Sequence, residues 1–248
     1  AILFRFNSSD RNTPFQIRLN NLSIPFHHGN QPIHWLGRYK QGEILAHLQA
    51  TYHRVKSDKS KRYLISAISS HTIRKQVAGF LKGIVQSNES EKIRAKAASE
   101  IGDQNNPADI PYLVQLAKND HSLLVRKKAV YGLEDIRHPS VVKALETIIR
   151  EANNMYIKKR AIHSMGDVGT KKAAEALKRF TFADNPTELQ RSAVNAMEDL
   201  PKQMGLPYLI QVARQHPKSI VRKKAIRCLG DIKHPRAYQA IRELAESN

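Results

Sequence analysis

Twelve of the fifteen residues at three recurring positions of this chain are lysine or arginine. The triplets read Arg94-Ala95-Lys96, Arg126-Lys127-Lys128, Lys158-Lys159-Arg160, Gln190-Arg191-Ser192 and Arg222-Lys223-Lys224, each 32 residues after the last, and none of the fifteen residues is acidic. Cations repeated at a fixed interval suit the binding of an extended anion, either the carboxylates of a protein or the phosphates of a nucleic acid. The bias is general, with 41 Lys and Arg against 22 Asp and Glu and a formal net charge of +19 over 248 residues. Four residues beyond the middle cation stands a column of Ser99, Tyr131, His163, Asn195 and Arg227. It holds one aromatic residue, so it offers no continuous platform on which bases would stack.

Other residues capable of chemistry are less suggestive. Asp103, Asp135, Asp167, Asp199 and Asp231 also recur every 32 residues, and a carboxylate repeated so regularly reads as a structural ladder, because a catalytic acid is a singular residue. Cys228 is the one cysteine and shares its column with Glu100, Gly132, Ser164 and Ala196. It reads as a small packed residue, since free cysteines are commonly buried and inert. His27, His28 and His34 lie close in sequence, but His27 and His28 point to opposite sides of an extended chain and a metal wants three or four convergent ligands. No metal or cofactor is expected. His-Glu-x-x-His, Gly-x-Ser-x-Gly and the glycine-rich phosphate loops are absent, so catalytic chemistry has no motif behind it.

The elements that position these columns follow from the same period. Residues 125–139, Val-Arg-Lys-Lys-Ala-Val-Tyr-Gly-Leu-Glu-Asp-Ile-Arg-His-Pro, recur at 221–235 as Val-Arg-Lys-Lys-Ala-Ile-Arg-Cys-Leu-Gly-Asp-Ile-Lys-His-Pro, with fainter copies at Ile93, Ile157 and Leu189. An exact period of this size marks a stacked-repeat architecture. Val125, Ala129, Val130 and Leu133 fall on one face of a helix, here helix B, predicted near 90–102, 122–134, 154–166, 186–198 and 218–230. A second amphipathic segment, helix A, precedes each one, as in Pro111-Tyr-Leu-Val-Gln-Leu-Ala. Pro107, Pro139 and Pro235 stand near the helix-A starts, where a missing N–H costs nothing. Ser90, Ser122 and Asn154 are candidate caps of helix B. Gly102, Gly166 and Gly230 read as sites of close helix approach or helix termination. Neither helix buries its stripe alone, so each pair depends on its neighbours.

The pattern Pro-x-Leu-x-x-Leu, a polar turn, then Val-Arg-x-x-Ala-x-x-x-Leu-x-Asp-Ile resembles HEAT-like repeats of the bilin-lyase type over roughly residues 43–248. The resemblance implies a mostly α fold, a right-handed α-solenoid of HEAT-like helix pairs with a 32-residue period. It also implies a structural pairing of the Asp column with Arg94, Arg126, Lys158 and Arg222, interrupted at Gln190, and a concave side lined by helix B. The second and third cation columns have no periodic acid opposite them in the sequence. All three columns lie within two turns of a helix start, where cations oppose the macrodipole, so helix stability does not account for them. The plain alternative is a solvated basic face kept for solubility.

Residues 1–42 stand outside the repeat. Ile2, Phe4 and Phe6 alternate, as do Phe15, Ile17, Leu19 and then Leu22, Ile24, Phe26 on either side of Asn20-Asn21, which reads as a small N-terminal β-hairpin cap or the end of a preceding β domain. Trp35 would plug the hairpin against the first helix. Running into the first repeat, this part resembles the junction before the helical C-terminal domain of gluzincin-type aminopeptidases. Residues 43–248 then form the solenoid, with a degenerate first pair near 43–55 and 58–70 and a last helix near 235–246.

Three functions follow as expectations. The first is a non-enzymatic scaffold binding a protein with an acidic surface through Arg126, Lys127, Lys128, Tyr131, Lys158, Lys159, Arg160, His163, Arg191, Arg222, Lys223, Lys224 and Arg227. The second is a solenoid that binds a nucleic-acid backbone. The third is an accessory module of a larger enzyme. No run approaches the 18 apolar residues of a membrane span, and the compartment is left open.

Overall fold

The computed structural model describes residues 2–5, 16–19 and 41–246. The chain divides into two compact units, Ala1–Asn105 and Asn106–Asn248.

Among the described residues, the first unit has the helices α1 (Gln41–Arg54), α2 (Asp58–Ser69), α3 (Arg74–Gln86) and α4 (Glu91–Asp103). Helix α1 packs on α2, α3 packs on α4, and the two B-type helices α2 and α4 lie side by side. Leu45, Leu48 and Tyr52 form the buried stripe of α1, and Leu64, Ile65 and Ile68 that of α2; covering each such side chain contributes about 1.5–3 kcal/mol. Strand β1 (Ile2–Arg5) pairs antiparallel with β2 (Gln16–Leu19), Ile2 opposite Leu19. The expected turn at Asn20-Asn21, its second arm, the three histidines and Trp35 lie outside the described residues.

The second unit is a two-layer stack. Helices α5 (Ile110–Asn119), α7 (Ser140–Glu151), α9 (Lys171–Phe182), α11 (Leu206–Gln215) and α13 (Pro235–Glu246) form the A layer, and α6 (Leu123–Asp135), α8 (Met155–Val168), α10 (Thr187–Glu198) and α12 (Ser219–Asp231) the B layer. The B helices start at residues 123, 155, 187 and 219, 32 apart as the period requires. Ala129, Ala161, Ala193 and Ala225 are wholly buried, because a methyl group is all the space between neighbouring helices admits. Gly166 marks a closer approach, since a Cβ there would stand 2.8 Å from the carbonyl oxygen of Ala196 on α10.

Two of the three expected helix-B caps form. The side chains of Ser122 and Asn154 accept hydrogen bonds from the N–H groups of Val125 and Ile157. Ser90 makes no such cap; its hydroxyl donates instead to Asp58 Oδ2 at 2.7 Å. Helix α8 ends on Gly169 in the left-handed region, φ 62°, which only glycine enters without strain. His71, His138, His216 and His234 each accept through Nδ1 the N–H two residues on, so they act as turn caps before the next helix.

Candidate partner-binding face

The first cation column is a set of staples. It occupies the fourth residue of each B helix and turns back onto the helix A just completed. Arg94 Nε donates to the carbonyl of Val85 at 2.7 Å, Arg126 Nε to Ala117 at 3.0 Å, Lys158 Nζ to Arg150 at 3.4 Å, and Arg222 Nη1 to His216 at 2.8 Å. These carbonyls lie in the last turn or at the C-cap of a helix A, where backbone acceptors lack intrahelical partners and the macrodipole favours a cation. A placement unfavourable for helix B is thus favourable for helix A, which corrects the expectation that helix stability plays no part. Gln190 does not interrupt the series: its Nε2 donates to the carbonyl of Ala183 at 2.9 Å. Lys158 also lies in a cleft with Ile149, Phe180 and Leu189, away from the other cations of its helix.

The second and third columns meet acids supplied by neighbouring elements. Lys96 pairs with Glu100 one turn on in α4. Lys159 of α8 pairs with Glu188 of α10, and Arg160 with both Glu134 of α6 and Asp167 of its own helix. Ser164 adds a hydroxyl to Glu134. Burial pushes the Glu134 carboxyl above the usual carboxylate range, against the pull of Ser164 and Arg160. Burial also works against the charge on Arg160, but its bonds to Glu134 and Asp167 outweigh it and hold the guanidinium above its ordinary value. In the Asp column, Asp167 thus pairs with Arg160, a third-column residue, rather than with the first-column cation that the resemblance implies. All five aspartates are exposed at the ends of their helices.

Five of the twelve cations are taken neither by these carbonyls nor by these acids: Lys127, Lys128, Arg191, Lys223 and Lys224. Lys127 and Lys128 stand over the Tyr131 ring at 5.6 and 5.2 Å, and Arg160 over the same ring at 4.2 Å. Lys127 also lies 5.7 Å from the ring centre of Tyr156 on α8. Tyr156, Lys127, Tyr131 and Arg160 therefore form a continuous cation–aromatic lattice across α6 and α8, each contact contributing about 0.5–1 kcal/mol. Leu123, Met155 and Tyr156, at the starts of the same helices, are 40–46% exposed. On α10 and α12 the equivalent surface carries Arg191, Lys223 and Arg227, with Ile220 exposed. The face is thus apolar and aromatic as well as cationic at one end, and chiefly cationic at the other.

A model of HEAT repeats matches residues 77–166, 124–198 and 179–248. The chain belongs to the HEAT-repeat family. Among solved structures it is similar to human deoxyhypusine hydroxylase in complex with glycerol, with 16% identity, 82% of each chain covered and a TM-score of 0.35. It is also similar to the complex of CpcE and CpcF of phycocyanin lyase from Nostoc sp. PCC7120, with 18% identity, 88% of this chain and 84% of that one covered, and a TM-score of 0.45. Both are likenesses of fold alone. No curated protein matches the sequence.

Of the thirteen residues expected to touch a partner, the HEAT helix pairs separate three groups. Arg126, Lys158 and Arg222 close helix ends; Lys159 and Arg160 hold B helices together; Lys127, Lys128, Tyr131, Arg191, Lys223, Lys224 and Arg227 remain on the face. His163 is half-buried between them, and burial, reinforced by Arg160, pushes its imidazole below the ordinary range. Tyr156 and Ile220 belong to the face but not to the cation columns. Their signal was an apolar side chain off the Ala–Leu stripe at the second residue of a B helix. Cys228 is wholly buried, and burial beside Glu198 pushes its thiol up to about 12, leaving it a packing residue.

Proposed function

We propose that this HEAT-repeat chain is a non-enzymatic protein-binding scaffold whose B-helix face in the second unit takes an acidic segment or surface of another protein. The observation that carries this reading is the set of cations left after internal pairing. Among the described residues, Lys127, Lys128, Arg191, Lys223 and Lys224 make no ion pair, although Glu134, Glu188 and Asp167 stand on the same layer. A face kept basic only for solubility has no reason to mix these charges with exposed Leu123, Met155, Tyr156 and Ile220, since apolar exposure works against solubility. An acidic polypeptide satisfies both features, because its carboxylates meet the lysines and its apolar side chains cover the exposed ones. The Tyr131 ring is already covered by three cations of the protein itself, which leaves little ring surface for a nucleic-acid base.

The test is the triple reversal Lys127→Glu, Lys223→Glu, Lys224→Glu, with binding of a fluorescein-labelled acidic peptide read by anisotropy and the fold read by circular dichroism. Expected is an unchanged helical spectrum, because acids near a helix start suit the macrodipole, and a loss of affinity of more than about tenfold, as removal of several charge contacts brings. Equal binding by parent and variant reduces the face to a solvated surface. Tighter binding of duplex DNA than of the peptide, with log K falling at about 0.9 per phosphate contact in log salt, replaces the protein partner with a nucleic acid.

A further inference from the structure

Beneath the 32-residue period the second unit carries a 64-residue one, and it is written in the side chains of the binding face. Tyr156, Lys159, Arg160 and Ser164 on α8 correspond to Ile220, Lys223, Lys224 and Cys228 on α12, and Glu134 on α6 corresponds to Glu198 on α10. Their contacts correspond in part. Glu134 receives Arg160 and Ser164 across the α6–α8 boundary, and across the α10–α12 boundary Cys228, at the Ser164 position, donates to Asn195 Oδ1 at 3.9 Å, whereas Lys224, at the Arg160 position, is left for the surface. The B helices nevertheless pack as one continuous row, α8 on α10 as well as on α6, so the alternation lies in the side chains and not in the packing. Helices α8 and α12 each expose an apolar side chain at their second residue, Tyr156 at 46% and Ile220 at 49% exposure, with lysine one turn further along; Met155 adds to the first of these sites. On the intervening α10 the same column holds Glu188, paired with Lys159, so no apolar anchor point occurs there.

We infer that the face is bivalent: it takes a single acidic segment that crosses the B helices with two apolar side chains, one seated at Tyr156 and one at Ile220. This inference rests on the protein-binding reading above and specifies its ligand. Helices α8, α10 and α12 are successive neighbours in the B layer, and packed helices stand about 8–10 Å apart, so the two anchor points are separated by about 16–20 Å. An extended chain advances about 3.3 Å per residue and turns alternate side chains to opposite faces, so two apolar side chains that both meet the helices stand about six residues apart. The acids between and around them face Lys127, Arg191, Lys223 and Lys224. Two linked contacts bind more tightly than either alone, because the second forms at the high effective concentration set by the first.

Three labelled peptides of equal length and equal negative charge test the arrangement on the whole chain: one with two phenylalanines six residues apart, one with the two adjacent, and one with none. The spaced peptide should bind about tenfold tighter than the adjacent one, a difference on the scale of one hot-spot contact. Tyr156→Ser and Ile220→Ser should each remove that advantage while leaving the anchor-free peptide unaffected. Both substitutions are at exposed positions, and helical content read by circular dichroism verifies that the fold stands. If spaced and adjacent peptides bind alike, or if the serine variants keep the preference, bivalence is overturned while the acidic-partner reading survives. If no acidic peptide binds the parent, both fall together.

Discussion

The Nε2 amide of Gln190 donates to the backbone carbonyl of Ala183 at 2.9 Å, doing with a neutral side chain what Arg94, Arg126, Lys158 and Arg222 do at the same position of the other repeats. The requirement at this column is therefore a long hydrogen-bond donor aimed at the end of helix A, and charge is an addition to it. Without the donor, a carbonyl at a helix end loses a partner in a partly covered site.

Replacing Arg126 with Ala should cost about 1–3 kcal/mol, the range for a lost hydrogen bond to a charged group. Lys223→Ala, at the second column of α12 and exposed, should stay within about 0.5 kcal/mol, as surface substitutions do. Urea denaturation midpoints compare the two. Equal losses at both positions would mean that the first column carries no more structural weight than the second.

The lattice between α6 and α8 gives a second prediction. Glu134 and Arg160 are each 17% exposed at the side chain, so neither is screened like a surface pair nor fully desolvated. Removing one partner leaves the other partly buried and uncompensated, whereas removing both does not. A cycle of Glu134→Ala, Arg160→Ala and the double variant should return a coupling energy of about 1–2 kcal/mol, within the range for contacting residues. The same cycle on Lys159 and Glu188, which are 33% and 57% exposed, should return about 0–1 kcal/mol. A larger coupling in the second pair than in the first contradicts the ranking by burial.

The limits of the sequence reading are visible in these same residues. Helix positions were legible to within a few residues, because a 32-residue period repeats the same stripe and averages away local ambiguity; helix B was expected at 154–166 and runs Met155–Val168. Which cations were free was not legible. Arg126, Lys127 and Lys128 are adjacent and chemically alike, and only their directions separate a staple from a face, since consecutive residues on a helix point about 100° apart. Acids from neighbouring helices, such as Glu134 for Arg160, break the 32-residue period by alternating with Gly102, Gly166 and Gly230, so a search for a periodic partner passes over them. At Ser90 the neighbour Asp58 captures the hydroxyl that the local sequence assigns to a cap. The two strands pair Ile2–Arg5 with Gln16–Leu19, and the stretch that would carry the aminopeptidase-type junction lies largely outside the described residues.

His163 gives the last prediction, and its sign follows from burial. The imidazole is half-buried beside Arg160, and burial first, then Arg160, lowers its pKa below the ordinary 6.5, against weaker opposing pulls from Asp199 and Asp167. The unfolded chain binds the proton first as pH falls, so the folded state loses relative stability from about pH 6.5 downward until the folded imidazole also titrates. Above that window His163 is neutral in both states and contributes no pH dependence. Asn195 occupies the equivalent position on α10, so His163→Asn removes the titration with a side chain the repeat already accepts. The variant should lose less of its urea midpoint than the parent between pH 7.5 and 5.5, and the parent's imidazole resonances should titrate below those of an exposed histidine. If the two proteins lose stability equally over that interval, the neighbouring carboxylates offset Arg160 and burial; if the variant loses more, they outweigh them and the fold favours the charged imidazole.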